Sequence, residues 1–140
     1  MANDVKLEEF NEVMNTNVTG VLSVTQAFVP LLKKSDAPRV INISSQLGSM
    51  ASSPRFSTTS YQCSKAALNM LTKCCAFDIP EVVFISVHPG WVQTDMGQAK
   101  NRKAPVSIED SASGIFKYAL EIPKEKSGCF IGFDGKSIDY

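Results

Sequence analysis

The chain has a single histidine, and its four cysteines never fall in C-x-x-C spacing. Cys74 and Cys75 are adjacent, which suits neither a zinc site nor an ordinary disulfide. No metal is therefore expected, and Cys63, Cys74, Cys75 and Cys129 read as idle or buried thiols of a reducing compartment. Excess charge is also missing. Fourteen basic residues balance fourteen acidic ones, so no global field draws the protein to nucleic acid or anionic lipid. No apolar run reaches the length that spans a bilayer. The opening MANDVKLEEF has neither the basic leader nor the apolar core of a secretory signal. These features predict a cytoplasmic protein with no nucleic-acid or membrane partner, in which the sequons at Asn17 and Asn42 carry no meaning. No two of the eight glycines stand in G-x-G spacing, so a glycine-rich phosphate turn is lacking. Without a G-x-S-x-G elbow or a placed histidine, serine hydrolysis is excluded as well.

What is present is ordinary for a globular protein: 140 residues, 44% hydrophobic and 20% charged, with no linker or repeat. One domain over residues 1–140 is expected. From Leu7 to Leu32 apolar residues recur at helical spacing, with Asp4 as N-cap, Glu8 and Glu9 at the positive end of the dipole, and Pro30 ending or kinking the last turn. RVINIS (39–44) and VVFISV (82–87) read as strands of a buried parallel sheet. Between them lie a Ser/Gly/Pro-rich loop to about residue 57 and a helix over about 59–77, its apolar side formed by Ala66, Ala67, Met70, Leu71 and Cys74. HPGW then opens a long polar connection over 91–106. Ser107 and Asp110 form a capping-box-like start to a third helix through about Leu120, and CFIGF (129–133) reads as the last strand, turning at Asp134-Gly135. Helices alternating with apolar strands indicate an α/β fold with a parallel sheet.

In the stretch SYQCSKAALNM (60–70), Tyr61 and Lys65 stand four apart and share one helix face. A phenol titrates near 10. A cation about 5 Å away, at an effective dielectric of about 20, favours the phenolate by roughly 3 kcal/mol, or about two pK units. That spacing alone is a weak signal. It gains weight from INISSQLG (41–48), which ends a strand in Ser44 and Ser45, and from HPGWVQTDM (88–96), which follows the next one. In parallel sheets ligands collect beyond the carboxyl ends of strands, where a serine hydroxyl is placed to stabilise a developing oxyanion.

NVTG (17–20), INISSQLG (41–48), YQCSK (61–65) and HPGWVQTDM (88–96), in this order, resemble the short-chain dehydrogenase/reductase family over almost the whole chain. SVHPGWVQTDMG and SGCFIGFDGKSI look most like its C-factor-type carbonyl reductase branch. The resemblance implies a partial Rossmann-like parallel sheet, the C-terminal strands and helices of a doubly wound fold. It implies an NAD(P)-dependent oxidoreductase of carbonyl reductase type, acting on a small carbonyl or alcohol substrate with NADP, or NAD. Tyr61 would pass a proton to the carbonyl, Lys65 would lower its pKa and bind the nicotinamide ribose, Ser45 would polarise the carbonyl, and Asn17 would hold a water leading from Lys65 to solvent. Pro89, Gly90, Val92 and Thr94 would bind the nicotinamide end. Residues from Gln93 to Ala104 would form the substrate lid, with Trp91 and Met96 as contacts or lid packing. His88 receives no catalytic role and is expected as a hydrogen-bonded turn residue.

The family's T-G-x-x-x-G-x-G turn and its Asn-Asn-Ala-Gly segment are both missing, so the chain is expected to begin after the family's fourth strand. It would then be a fragment, a short isoform or an incomplete gene model, with weakened cofactor affinity and an exposed apolar edge at 40–43. The alternative to an enzyme is a catalytically silent module. It would associate through the helices of Asn17 and Tyr61, which in the family often build a dimer interface, or pair with a full-length relative.

Overall fold

The structure is a computed structural model that describes residues 4–52, 58–99 and 102–140. Residues 53–57 of the serine-rich loop and Lys100 and Asn101 of the expected lid lie outside them. The chain opens with α1 (Leu7–Met14), a π-helical turn (Asn15–Thr19) and α2 (Gly20–Leu32). Strand β1 (Arg39–Ile43), a 3₁₀ turn (Gln46–Gly48), α3 (Thr59–Asp78) and β2 (Val83–His88) follow. A short α4 (Asp95–Gln98), α5 (Ile108–Glu121), a 3₁₀ turn (Lys124–Lys126) and β3 (Phe130–Gly132) complete the order.

The three strands form one parallel sheet in the order β1-β2-β3, with Arg39 opposite Val83 and Val87 opposite Ile131. The alternation of side chains across β2 assigns its two faces. Val83, Ile85 and Val87 face α5, where they pack with Ile115, Tyr118, Ile122 and Ile131. Ser86 faces α3 and donates to Thr72 Oγ1 at 2.9 Å. Each fully buried aliphatic side chain of that core, such as Ile85 and Val87, contributes about 1.5–3 kcal/mol of burial. The outer edge of β3 is covered by the chain's own tail: Gly132 N–H donates to Lys136 O (2.8 Å) and Ile138 N–H to Phe130 O (2.9 Å). At the opposite margin β1 is an edge strand with Ile43 46% exposed, as the apolar edge expected there requires.

Several expectations need correction. The helix cap falls on Lys6, without a side-chain cap bond, and Asp4 lies outside the helix. Pro30 does lie in the last turn of α2, which ends two residues later at Leu32, as expected. Much of the apolar stripe does not reach the core, since Leu7, Phe28 and Leu31 are exposed. The inner face of α3 is mostly polar: Ser60, Ser64, Asn69 and Thr72 are buried beside Leu68, whereas Met70 and Cys74 are exposed. The capping box is as expected, with Ser107 Oγ accepting from Asp110 N–H (3.0 Å) and donating to Asp110 Oδ2 (2.7 Å).

Candidate active site

Strand β1 delivers Ser44 and Ser45 just beyond its carboxyl end, and both are buried. The 3₁₀ turn that follows lies against the first turns of α3. A Cβ on Gly48 would sit 2.6 Å from the Lys65 carbonyl carbon and 2.8 Å from Ala66 N. Only glycine allows this approach, and the approach carries the serine segment onto the helix of Tyr61. The Ser45 hydroxyl lies within reach of the Tyr61 phenol and favours its charged form, while Ser45 Oγ accepts from Leu47 N–H at 3.2 Å.

Lys65 reaches the same end of the sheet. Its Nζ lies 5.6 Å from the centre of the Tyr61 ring and donates to Ile43 O at 2.9 Å. The electrostatics depart from the simple spacing argument. Burial pushes the Tyr61 phenol above its ordinary value, and the Ser45 hydrogen bond works against that rise. Burial likewise pulls the Lys65 ammonium below its ordinary value. Desolvation thus outweighs the expected lowering of the phenol by its neighbour. Among the described residues no carboxylate pairs with Lys65.

Asn17 sits in the π turn, a local helix insertion frequent at functional sites. Its Nδ2 donates to Ser64 Oγ at 3.0 Å, and Ser64 Oγ donates to Tyr61 O at 2.8 Å. The side chain of Asn17 therefore ties α3 down between Tyr61 and Lys65, and its described bond is to Ser64 rather than to the ammonium.

Past β2, Gly90 turns the chain at φ 86, a left-handed conformation that favours glycine, while Ser111 on α5 donates to Pro89 O at 2.7 Å. Val92 bridges to Val106, which closes the base of the polar connection. Thr94 caps α4, its Oγ1 accepting from Gly97 N–H at 3.2 Å, so the hydroxyl proton remains available to donate. Trp91 Nε1 donates to Gly97 O at 2.8 Å and the Arg102 guanidinium lies 5.9 Å over its ring. Trp91 is thus tied to its own 91–106 connection, and Met96 is exposed. Among the described residues no hydrogen bond joins either to Ser45 or Tyr61.

His88 departs from expectation. Its carbonyl accepts from Phe133 N–H at 2.8 Å, but its ring Nδ1 is buried with no partner among the described residues. Burial lowers its pKa against the pull of Asp134. Tyr61 borders a recess of about 270 Å³ lined also by Val5, Glu9, Val13 and Thr58. A larger cavity of about 480 Å³, between Val106, Gly114, Tyr118 and Phe133, holds none of the Ser45, Tyr61 and Lys65 side chains. Of those three residues, only Tyr61 lines the smaller recess.

Sequence reasoning missed Asn69, Thr72, Ser64 and Gly48, which seat the reactive groups. A signal for them exists. Asn42, Ser44 and Ser86 interrupt apolar strands on one face, and Ser60, Ser64, Asn69 and Thr72 recur at helical spacing.

A parallel α/β sheet with serine, tyrosine and lysine side chains gathered at its carboxyl edge defines a dehydrogenase-type architecture. The family model for short chain dehydrogenase matches residues 1–105. An uncharacterized oxidoreductase of Schizosaccharomyces pombe is 36% identical over 94% of this chain and 58% of its own length. The C-signal protein of Myxococcus xanthus is 33% identical over 98% of this chain and 82% of its own. An NADPH-bound carbonyl reductase from chicken fatty liver superposes with a TM-score of 0.93 at 35% identity, covering 100% of this chain and 60% of that one. The chain belongs to the short-chain dehydrogenase family, with a partial Rossmann-like sheet, and spans 58% of the length of the yeast relative.

Proposed function

We propose that residues 1–140 form the C-terminal catalytic part of an NAD(P)-dependent oxidoreductase of carbonyl reductase type, acting on a small carbonyl or alcohol. The observation that carries this reading is the Ser45 hydroxyl acting on the Tyr61 phenol, with Lys65 Nζ 5.6 Å from the centre of the same ring. The residues fit the nicotinamide-ribose end of NADP or NAD. Lys65 has three N–H donors, one of them on a neutral carbonyl, and the hydroxyl proton of Thr94 is free to meet a carboxamide. The cofactor, when bound, supplies the hydride.

In this reading Ser45 holds the substrate oxygen and Tyr61 gives it a proton. The raised pKa keeps Tyr61 protonated at neutral pH, so it holds a proton to give, although burial makes that proton harder to release. Lys65 stabilises the phenolate left behind, and Asn17 anchors a water path that returns the proton. Pro89, Gly90, Val92 and Thr94 shape the nicotinamide pocket, and Trp91 and Met96 belong to the substrate lid. No helix among the described residues is long and apolar enough to cross a membrane, and a cytoplasmic setting is part of the proposal. A thermal-shift titration with NADPH and with NADH tests it, since a ligand that binds the folded form raises its melting temperature. A flat response to both at millimolar concentration counts against the enzyme.

A second reading is favoured by the exposure of Val24, Phe28 and Leu31 on α2 and of Met70 and Phe77 on α3. In it the chain is a catalytically silent module that pairs through these helices, as a homodimer or with a longer relative. Sedimentation equilibrium showing only monomer at high concentration would remove the homodimer.

A further inference from the structure

One deeply buried polar side chain at the site is left without a task by the catalytic scheme. Asn69, 1% exposed, follows Lys65 by one helical turn and Tyr61 by two. Its Oδ1 accepts from Ser44 Oγ at 2.5 Å, and its Nδ2 reaches Gly48 O at 3.5 Å, a long but oriented contact. Ser44 and Gly48 bracket Ser45. One carboxamide therefore grips both ends of the segment that presents the Ser45 hydroxyl, and it does so from the same helix that presents Tyr61. The alternative acceptor for Ser44, Lys65 O at 3.4 Å, is on that helix too but is much longer. Gly48, which leaves room for the backbone of α3, makes the grip sterically possible. Below it, Thr72 Oγ1 accepts from Asn42 Nδ2 (2.8 Å) and Ser86 Oγ and donates to Leu68 O (2.8 Å), fixing the helix to both strands independently.

We propose that Asn69 is a positioning residue that sets the Ser45–Tyr61 hydrogen bond by clamping residues 44–48 to α3. The importance of that hydrogen bond rests on the reading of the site as a carbonyl reductase centre. The clamp itself does not, and its test reads geometry rather than turnover. The charges around the phenol, Lys65 on its own helix and Asp4 and Glu9 across the recess, are unchanged in every variant used.

The experiment follows the Cζ carbon resonances of Tyr61, Tyr118 and Tyr140 against pH in the purified chain, assigned by single Tyr→Phe substitutions. A serine hydroxyl that donates to the phenolate favours it, so Ser45→Ala moves the Tyr61 titration to higher pH. Asn69→Ala is expected to move it in the same direction and by a similar amount. In the Ser45→Ala background, Asn69→Ala is expected to add nothing, because the two act through one bond. A residue that merely supports the fold moves the melting temperature but not this titration. The proposal is overturned if folded Asn69→Ala titrates at Tyr61 like the parent, or shifts it as much with Ser45 absent. If Asn69→Ala does not fold, Ser44→Ala removes only the donor and carries the same expectation. An unchanged Tyr61 titration there overturns the clamp, as does loss of fold in both variants. Turnover that never appears in any variant, with the titration shift intact, would sink the reductase reading alone.

Discussion

The hydroxyls of Ser45 and Tyr61 meet because a glycine three residues after the serine lets a turn rest on the backbone of the tyrosine's own helix. Neither residue is held by contacts with the other alone. One arrives on the end of a strand and the other on a helix locked to that strand from beneath.

Replacing Tyr61 with Phe removes the acid while keeping the ring that Lys65 borders. With NADPH or NADH and a small aldehyde or ketone, steady-state turnover is expected to fall about 10²–10⁴-fold, the usual worth of a positioned acid. The cofactor-induced thermal shift should change little. Turnover within a few-fold of the parent would take Tyr61 out of the chemistry.

Gly48→Ala places a methyl carbon 2.6 Å from the Lys65 carbonyl carbon, with backbone rather than a flexible side chain in its way. Overpacking of this kind costs about 1–3 kcal/mol. Urea denaturation should show that loss, and the displaced turn should move Ser45 off Tyr61, raising the pH at which the phenol titrates. A fully stable Gly48→Ala protein with an unmoved Tyr61 would mean that the turn is not wedged as described.

Thr72 has one donor and two accepted bonds, all buried. Thr72→Val strands Asn42 Nδ2 and Ser86 Oγ and is expected to cost about 2–3 kcal/mol, since an unsatisfied buried polar group is destabilising by about 1–3 kcal/mol. Thr72→Ser keeps the hydroxyl and should lose about 1 kcal/mol or less for its missing methyl. Equal denaturation midpoints for the two variants would contradict the hydrogen-bond account.

Alkaline stability should be governed in part by Tyr140. Its hydroxyl donates to Gly128 O, and burial together with the nearby Cys129 pushes its pKa from 10.0 up to about 12. The folded protein holds this proton more tightly than the unfolded chain does. The resulting stabilisation is complete below pH about 10 and is lost as pH rises towards about 12. Melting curves of the parent should fall through that window. Tyr140→Phe should begin lower at neutral pH, without its hydrogen bond, and fall less steeply. Parallel curves would show that Tyr140 is not the responsive group.

The gathering of Ser45, Tyr61 and Lys65 was legible because these residues obey local periodicities. Four residues along a helix bring Lys65 beside Tyr61, and a strand end brings Ser45 to the ligand-binding edge. The alternating helices and strands, and the parallel sheet, were legible for the same reason. The seating of α3 was not. Counting apolar residues turned Met70 and Cys74 inward, whereas the sheet offers polar groups at Asn42, Ser44 and Ser86 and the helix turns Asn69 and Thr72 to meet them. Complementarity between two faces is a tertiary property that one segment's periodicity does not carry. The direction of the phenol's pKa failed for a related reason: spacing reports the nearby cation but not the depth of burial, which here decides the sign.

The underside of α3 is fastened by directional bonds as well as by the burial of Leu68. Oil-like surfaces tolerate a slip of a fraction of a turn, because any neighbour of similar bulk will serve. Lone pairs and protons do not, and a helix bolted at Asn69 and Thr72 has one admissible register. Volume-matched redesign of this layer, which succeeds in ordinary cores, should therefore unseat the helix here even when every gap is filled.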